Sequence, residues 1–138
     1  MDIAINYFAV VVAAVAANAL GALWYSPLLF GKQWVALMGW TPAQMEEAKK
    51  KGMGKMYAIQ FLASLVSAYV MARFVGVWAA NDAAAAWQLA FWAWLGFVAA
   101  GSIGAVLWEN KSVKLYAINV VYSLVSLTIM AMILALWH

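Results

Sequence analysis

Long apolar runs separated by short polar stretches set the outline of the chain. Four of them are long enough to cross the roughly 30 Å hydrocarbon core of a bilayer at about 1.5 Å per helical residue. They cover about residues 3–24, 55–78, 83–108 and 114–137. Tyr25-Ser26-Pro27 ends the first run, because proline disfavours helical geometry in the residue before it. The apolar stretch after it is too short to span. Its Phe30, Trp34, Leu37 and Met38 recur at helical spacing, which predicts a helix lying at the membrane interface. A solvated helix follows. Thr41 is its N-cap, Pro42 its first residue and Gln44 the partner in a capping box, and Gly52 closes it. Glu46–Lys50 and Glu47–Lys51 are i,i+4 pairs in the favourable order on its wet face. Together these helices form an expected insert over about residues 28–52. Asn81-Asp82 and Glu109 to Ser112 are the remaining turns.

The second and fourth runs resemble each other. Lys55 to Ala72 and Lys114 to Ala131 align without a gap and are identical at ten of eighteen positions. Internal duplication is the reading that follows. It extends more weakly to the first and third runs, where Ala13, Ala17 and Gly21 repeat at four-residue spacing, as do Gly96, Ala100 and Gly104. The expected fold is therefore all-α: a polytopic membrane protein of four transmembrane helices. It is built as two parallel-repeat helical hairpins about an axis along the membrane normal. Small residues let helix backbones approach, so another helix is expected against both stripes, Gly104 included.

Each repeated helix carries a polar seam. Tyr57, Gln60, Ser64, Ser67 and Met71 alternate steps of three and four, and so do Tyr116, Asn119, Ser123, Ser126 and Met130. Hydroxyl and amide side chains on such a seam can hydrogen-bond between helices, which is the packing reading and the preferred one. The same residues could instead line a crevice for a ligand. In-register seams predict that the amides of Gln60 and Asn119 approach each other, directly or through one water, within one chain or between the chains of a dimer. Asn18, inside the first span, is read as a hydrogen bond to a neighbouring helix.

Composition fits this picture. The 138 residues are 69% hydrophobic and 9% charged, with nine Trp. An ordinary soluble domain is about half apolar and a quarter charged. So short a chain cannot hide this much apolar surface from water, and lipid must solvate it. The net charge of +3 reflects topology rather than nucleic acid. Lys32, Lys49, Lys50, Lys51, Lys55, Lys111 and Lys114 fall on one side, and only Arg73, with Asp2 and Asp82, on the other. Seven basic residues against one predict that the lysine loops face the cytoplasm and that both termini lie outside it. Arg73 is expected to snorkel to the headgroups. The first run lacks a basic segment ahead of it and is read as a mature helix rather than a signal peptide.

Chemistry is sparse. There is no Cys, and the single His138 is the last residue. No carboxylate pair or metal-ligand cluster has useful spacing, and no ionisable residue lies near a span centre. Serines without a nearby base are not nucleophiles. A catalytic role, a metal and a cofactor are therefore not expected. The leading reading is a non-enzymatic membrane protein that acts through helix–helix association, as a homo-oligomer or an accessory subunit of a larger complex. The alternative is a carrier or binder of a lipophilic or uncharged small molecule. A continuous cavity lined by Gln60, Asn119 and Ser123 would favour the carrier, and a closed interior the scaffold. Partners are then membrane lipid, further protein and a possible small ligand, with no nucleic acid.

The stretch Gly21-Ala22-Leu23-Trp24-Tyr25-Ser26-Pro27-Leu28-Leu29-Phe30-Gly31-Lys32-Gln33-Trp34 resembles the signature of a family of small bacterial and fungal integral membrane proteins catalogued as a domain of unknown function, DUF1761. Trp94-Leu95-Gly96-Phe97 and the terminal repeat fit the same pattern. The resemblance implies four spans, in the inner membrane for a bacterial member, and brings no activity. It singles out Trp24, Tyr25, Pro27, Phe30, Gly31 and Trp34 as an interface loop motif.

Overall fold

The structure, a computed structural model, describes residues 3–137. Asp2 and His138, used above for charge and for catalytic bases, lie outside the described residues. The described chain runs through α1 (Tyr7–Trp24), α2 (Gly31–Met38), α3 (Pro42–Lys51), α4 (Gly54–Trp78), α5 (Ala83–Ala93), a π-helical segment (Trp94–Ala99), α6 (Gly104–Leu107) and α7 (Val113–Leu136). Four stretches, Tyr7–Trp24, Gly54–Trp78, Ala83–Leu107 and Val113–Leu136, are long and apolar enough to cross a membrane.

Local chemistry sets the helix starts. Asn6 Oδ1 accepts from the Ala9 N–H at 3.1 Å, so α1 begins at Tyr7, later than its apolar run. The capping box of α3 forms in both directions. The Gln44 N–H donates to Thr41 Oγ1 at 3.2 Å, and the Thr41 N–H donates to Gln44 Oε1 at 2.9 Å. Gly52 ends α3 with φ at 82°, a value that suits glycine. Ser112 caps α7 through the Leu115 N–H at 3.0 Å.

The third span departs most from expectation. A continuous helix over 83–108 was expected. Instead α5 ends at Ala93, a π-helical turn follows, and the chain turns again before α6. The Ala100 N–H reaches back five residues to the Leu95 carbonyl at 3.1 Å. Gly96, Gly101 and Gly104 lower helix propensity over this stretch. At Gly101 a Cβ would come within 2.9 Å of the Phe97 carbonyl oxygen, so a side chain there would crowd the turn. The Ala99 carbonyl accepts from the Tyr116 hydroxyl. Trp94 Nε1 donates to the Val120 carbonyl at 2.6 Å, tying the interrupted helix to α7.

α7 is the central element. α1, α4 and α5 all pack along it, and α1 also packs along α4, whereas α4 and α5 meet only sparingly. The core between these helices is built largely from alanine: Ala9, Ala13, Ala14 and Ala17 on α1, Ala68 and Ala72 on α4, and Ala131 and Ala135 on α7. Methyl-sized side chains bring helix axes close enough for dispersion to hold them, the main attraction available where lipid is as apolar as protein. Within each half the two spans pack alike, α1 on α4 and α5 on α7, but the contacts between the halves are not symmetric. A two-fold axis would make α1–α7 and α4–α5 equivalent, and only the first pair is close. The second small-residue stripe is unlike the first for the same reason. Nothing lies within 4 Å of a Cβ built at Gly96, and one at Gly104 would meet only its own Trp108, so no other helix comes close there.

Candidate functional site

Two cavities meet along α7. The first, of about 260 Å³, lies between Met38 of α2, the interrupted third span at Val98, Ser102 and Ala105, and Leu115, Tyr116, Asn119, Val120 and Ser123 of α7. The exposed Glu109 and Lys111 stand at its mouth, at the lysine-rich end of the bundle. The second, of about 230 Å³, is lined by Ala17, Gln60, Ala63, Ser64, Ser67, Tyr122, Ser126, Leu127 and Met130, and again by Val98 and Ser123. Val98 and Ser123 line both, so the two adjoin there, and together this crevice follows α7 from Leu115 to Met130, about 22 Å at 1.5 Å per residue. Beyond it Met71, Ala72, Ala131 and Leu134 close the core.

Seven of the eight hydroxyl- or amide-bearing seam residues line this crevice, and the eighth, Tyr57, 66% exposed, points away from it. The two seams therefore face one another, but not in the pairing expected. Gln60 lines the second cavity and Asn119 the first. Asn119 is turned toward the loop after α1, where its Oδ1 accepts from the Tyr25 hydroxyl at 2.8 Å. Tyr25 outcompetes Gln60 because the loop motif folds back over α7. The hydroxyls of Ser64 and Ser123 donate to carbonyls of their own helices, Gln60 at 3.0 Å and Asn119 at 3.2 Å. Ser64 and Ser126 are buried.

The loop motif comes together as one aromatic cluster. Trp24 packs on Phe30 and Tyr122, and Tyr25 on Trp34 and Tyr122, with ring centroids 4.8–6.1 Å apart. Trp24 Nε1 donates to the Ile118 carbonyl at 3.1 Å. Pro27 sits at the exposed turn, and Gly31 is buried where a Cβ would lie 2.5 Å from the Tyr25 carbonyl oxygen. Its N–H donates to the Ser26 carbonyl at 2.8 Å, which locks the loop. Burial, and then the neighbouring Tyr122, push the Tyr25 phenol up to about 12, so at neutral pH it holds its proton and donates it.

Several residues of the site are not among those the sequence reading assigned to it. Trp94, Val98, Ser102 and Tyr122 line or brace the crevice. Tyr122 occupies the repeat position of Ala63, and that mismatch is a usable signal, as its hydroxyl reaches the Ala17 carbonyl at 3.1 Å across to α1. Asn18 bonds its own helix, donating to the Ala14 carbonyl at 2.8 Å, rather than a neighbour. Arg73 donates to the Tyr69 hydroxyl at 3.4 Å. Among the described residues no three His, Cys, Asp or Glu side chains gather where a metal could bind. An apolar groove of about 370 Å³ lies between α4 and α5, lined by Phe74, Val77, Trp78, Leu89, Trp92, Ala93 and Phe97.

In comparison with known proteins, a family model described as "Protein of unknown function (DUF1761)" matches residues 8–135. No curated protein and no solved structure shows a match to the chain.

Proposed function

The chain belongs to this family of proteins of unknown function, DUF1761, and we propose that it is a non-enzymatic integral membrane protein whose crevice holds an uncharged, lipophilic small molecule. The observation that carries this reading is that two polar-lined cavities adjoin at Val98 and Ser123, one of them reaching the lysine-rich end. A scaffold would favour a closed interior. Here serines and amides line an open crevice whose only charges, Glu109 and Lys111, stand at the mouth. Apolar walls with a few convergent polar groups are the usual form of a small-molecule site. The basic asymmetry supports a mouth that faces the cytoplasm. The test is mass analysis of what stays bound after extraction in mild detergent. A small molecule should be retained by the native chain and lost from Ser123→Trp, which fills the junction. Retention of nothing, or equal retention by both, would contradict the reading.

A second reading, association with another copy, draws on a different observation. Irregular backbone does not face lipid at membrane depth, because its polar groups would go unpaired. Yet around the π turn Gly96, Ala100 and Gly101 are exposed and Phe97 is 79% exposed. A second copy laid against this face would cover it, and the glycines would permit close approach. A cysteine at position 97 should then cross-link two chains in native membranes, and one at the exposed Val66 should not. Equal or absent cross-linking at both would reject the association.

A further inference from the structure

The polar groups at the junction are not equivalent. The Tyr116 hydroxyl donates to the Ala99 carbonyl and the Ser123 hydroxyl to the Asn119 carbonyl, so the hydrogens of both are committed within the protein. Asn119 differs. Tyr25 donates to its Oδ1, taking one of that oxygen's two lone pairs and holding the amide in place. The amide nitrogen has no protein partner among the described hydrogen bonds, and no buried side-chain nitrogen or oxygen in the described chain goes unpaired, so this nitrogen keeps exposed surface. Asn119 lines the first cavity. A neutral donor in an apolar-walled space selects an acceptor. A cationic or carboxylate ligand would lose its hydration with no opposite charge deeper than the mouth to replace it.

Resting on the reading of the crevice as a binding site, we infer that Asn119 is its ligand-contacting donor, that Tyr25 is the residue positioning it, and that the ligand is an uncharged lipophile bearing a carbonyl oxygen. The carbonyl sits near the lysine-rich end, one to two helical turns inside α7. The apolar remainder extends past Ser123 toward Leu127 and Met130. This also gives the loop motif a role. Trp24 anchors the loop on α7 and Gly31 closes it, which together hold the Tyr25 hydroxyl on the amide.

The experiment uses two probes on the detergent-purified full chain: dioctanoylglycerol, with two ester carbonyls and no charge, and its dialkyl ether analogue, which lacks them. The native chain should bind the ester more tightly, by roughly tenfold if one hydrogen bond decides. Asn119→Leu keeps a similar volume, removes the donor and should erase that preference. Tyr25→Phe should reduce it while ether binding stays as in the native chain, a pattern that a merely structural role would not give. If Asn119→Leu proves unfolded, Tyr25→Phe still decides. Ester and ether binding alike in the native chain, or an ester preference that survives Asn119→Leu or is unchanged in Tyr25→Phe, would overturn the inference. Failure of the crevice reading looks different: neither probe binds the native chain, or Ser123→Trp leaves both bound, and the inference falls with it.

Discussion

At the scale of single residues, the glycines divide by what surrounds them. Gly31 lies against backbone, with the Tyr25 carbonyl oxygen 2.5 Å and the Ser26 carbonyl oxygen 2.6 Å from where a Cβ would be. Backbone cannot swing aside as a long side chain can. Gly31→Ala should therefore cost about 1–3 kcal/mol by overpacking and loosen the Tyr25–Asn119 bond. Gly104 faces nothing but its own Trp108. Thermal unfolding in detergent should show a clearly lowered Tm for Gly31→Ala and almost none of that loss for Gly104→Ala. Equal losses would mean that the loop is not locked as described. Both glycines stand out in the sequence, but the small-residue spacing marks Gly104 for close approach, and the close approach is at Gly31. The spacing Gly96, Ala100, Gly104 is the same whether a helix covers it or not, so the pattern alone cannot place a neighbour.

At the scale of elements, what was legible is what depends on local chemistry. Apolar length sets the four spans, and the Thr41 to Gln44 capping box and Gly52 set the ends of α3. The loop motif was visible as a cluster of aromatic residues around Pro27. The break in the third span was not, because its causes lie partly on another helix: Trp94 and Tyr116 bridge it to α7. The pairing of Asn119 with Tyr25 was hidden for a similar reason, since their separation of 94 residues carries no periodic signal. An interrupted helix with fewer regular backbone bonds opens more readily. Amides from Gly101 to Ile103 should exchange with solvent faster than those from Val120 to Met130 of α7. Matched slow exchange in both would argue for a continuous third helix.

At the scale of the whole molecule, three spans surround α7, and two adjoining polar-lined cavities follow it. The lysine-rich ends of α4 and α7 and the mouth at Lys111 lie together. The charge rule predicts that this end faces the cytoplasm. In intact cells an introduced cysteine at position 82 should react with an impermeant reagent added outside, and one at position 50 should not. The reverse pattern would invert the topology. The absence of native Cys leaves a clean background for the measurement that bears most directly on the crevice. Single cysteines at Ser123, at Val121, which is 41% exposed, and at the buried Ala131 would be treated with a small charged thiol reagent from the lysine-rich side of the membrane. If the crevice holds water or an exchangeable ligand, position 123 reacts, while lipid shields 121 and packing shields 131. No reaction at 123, or equal reaction at 121, would contradict an open crevice between the two seams.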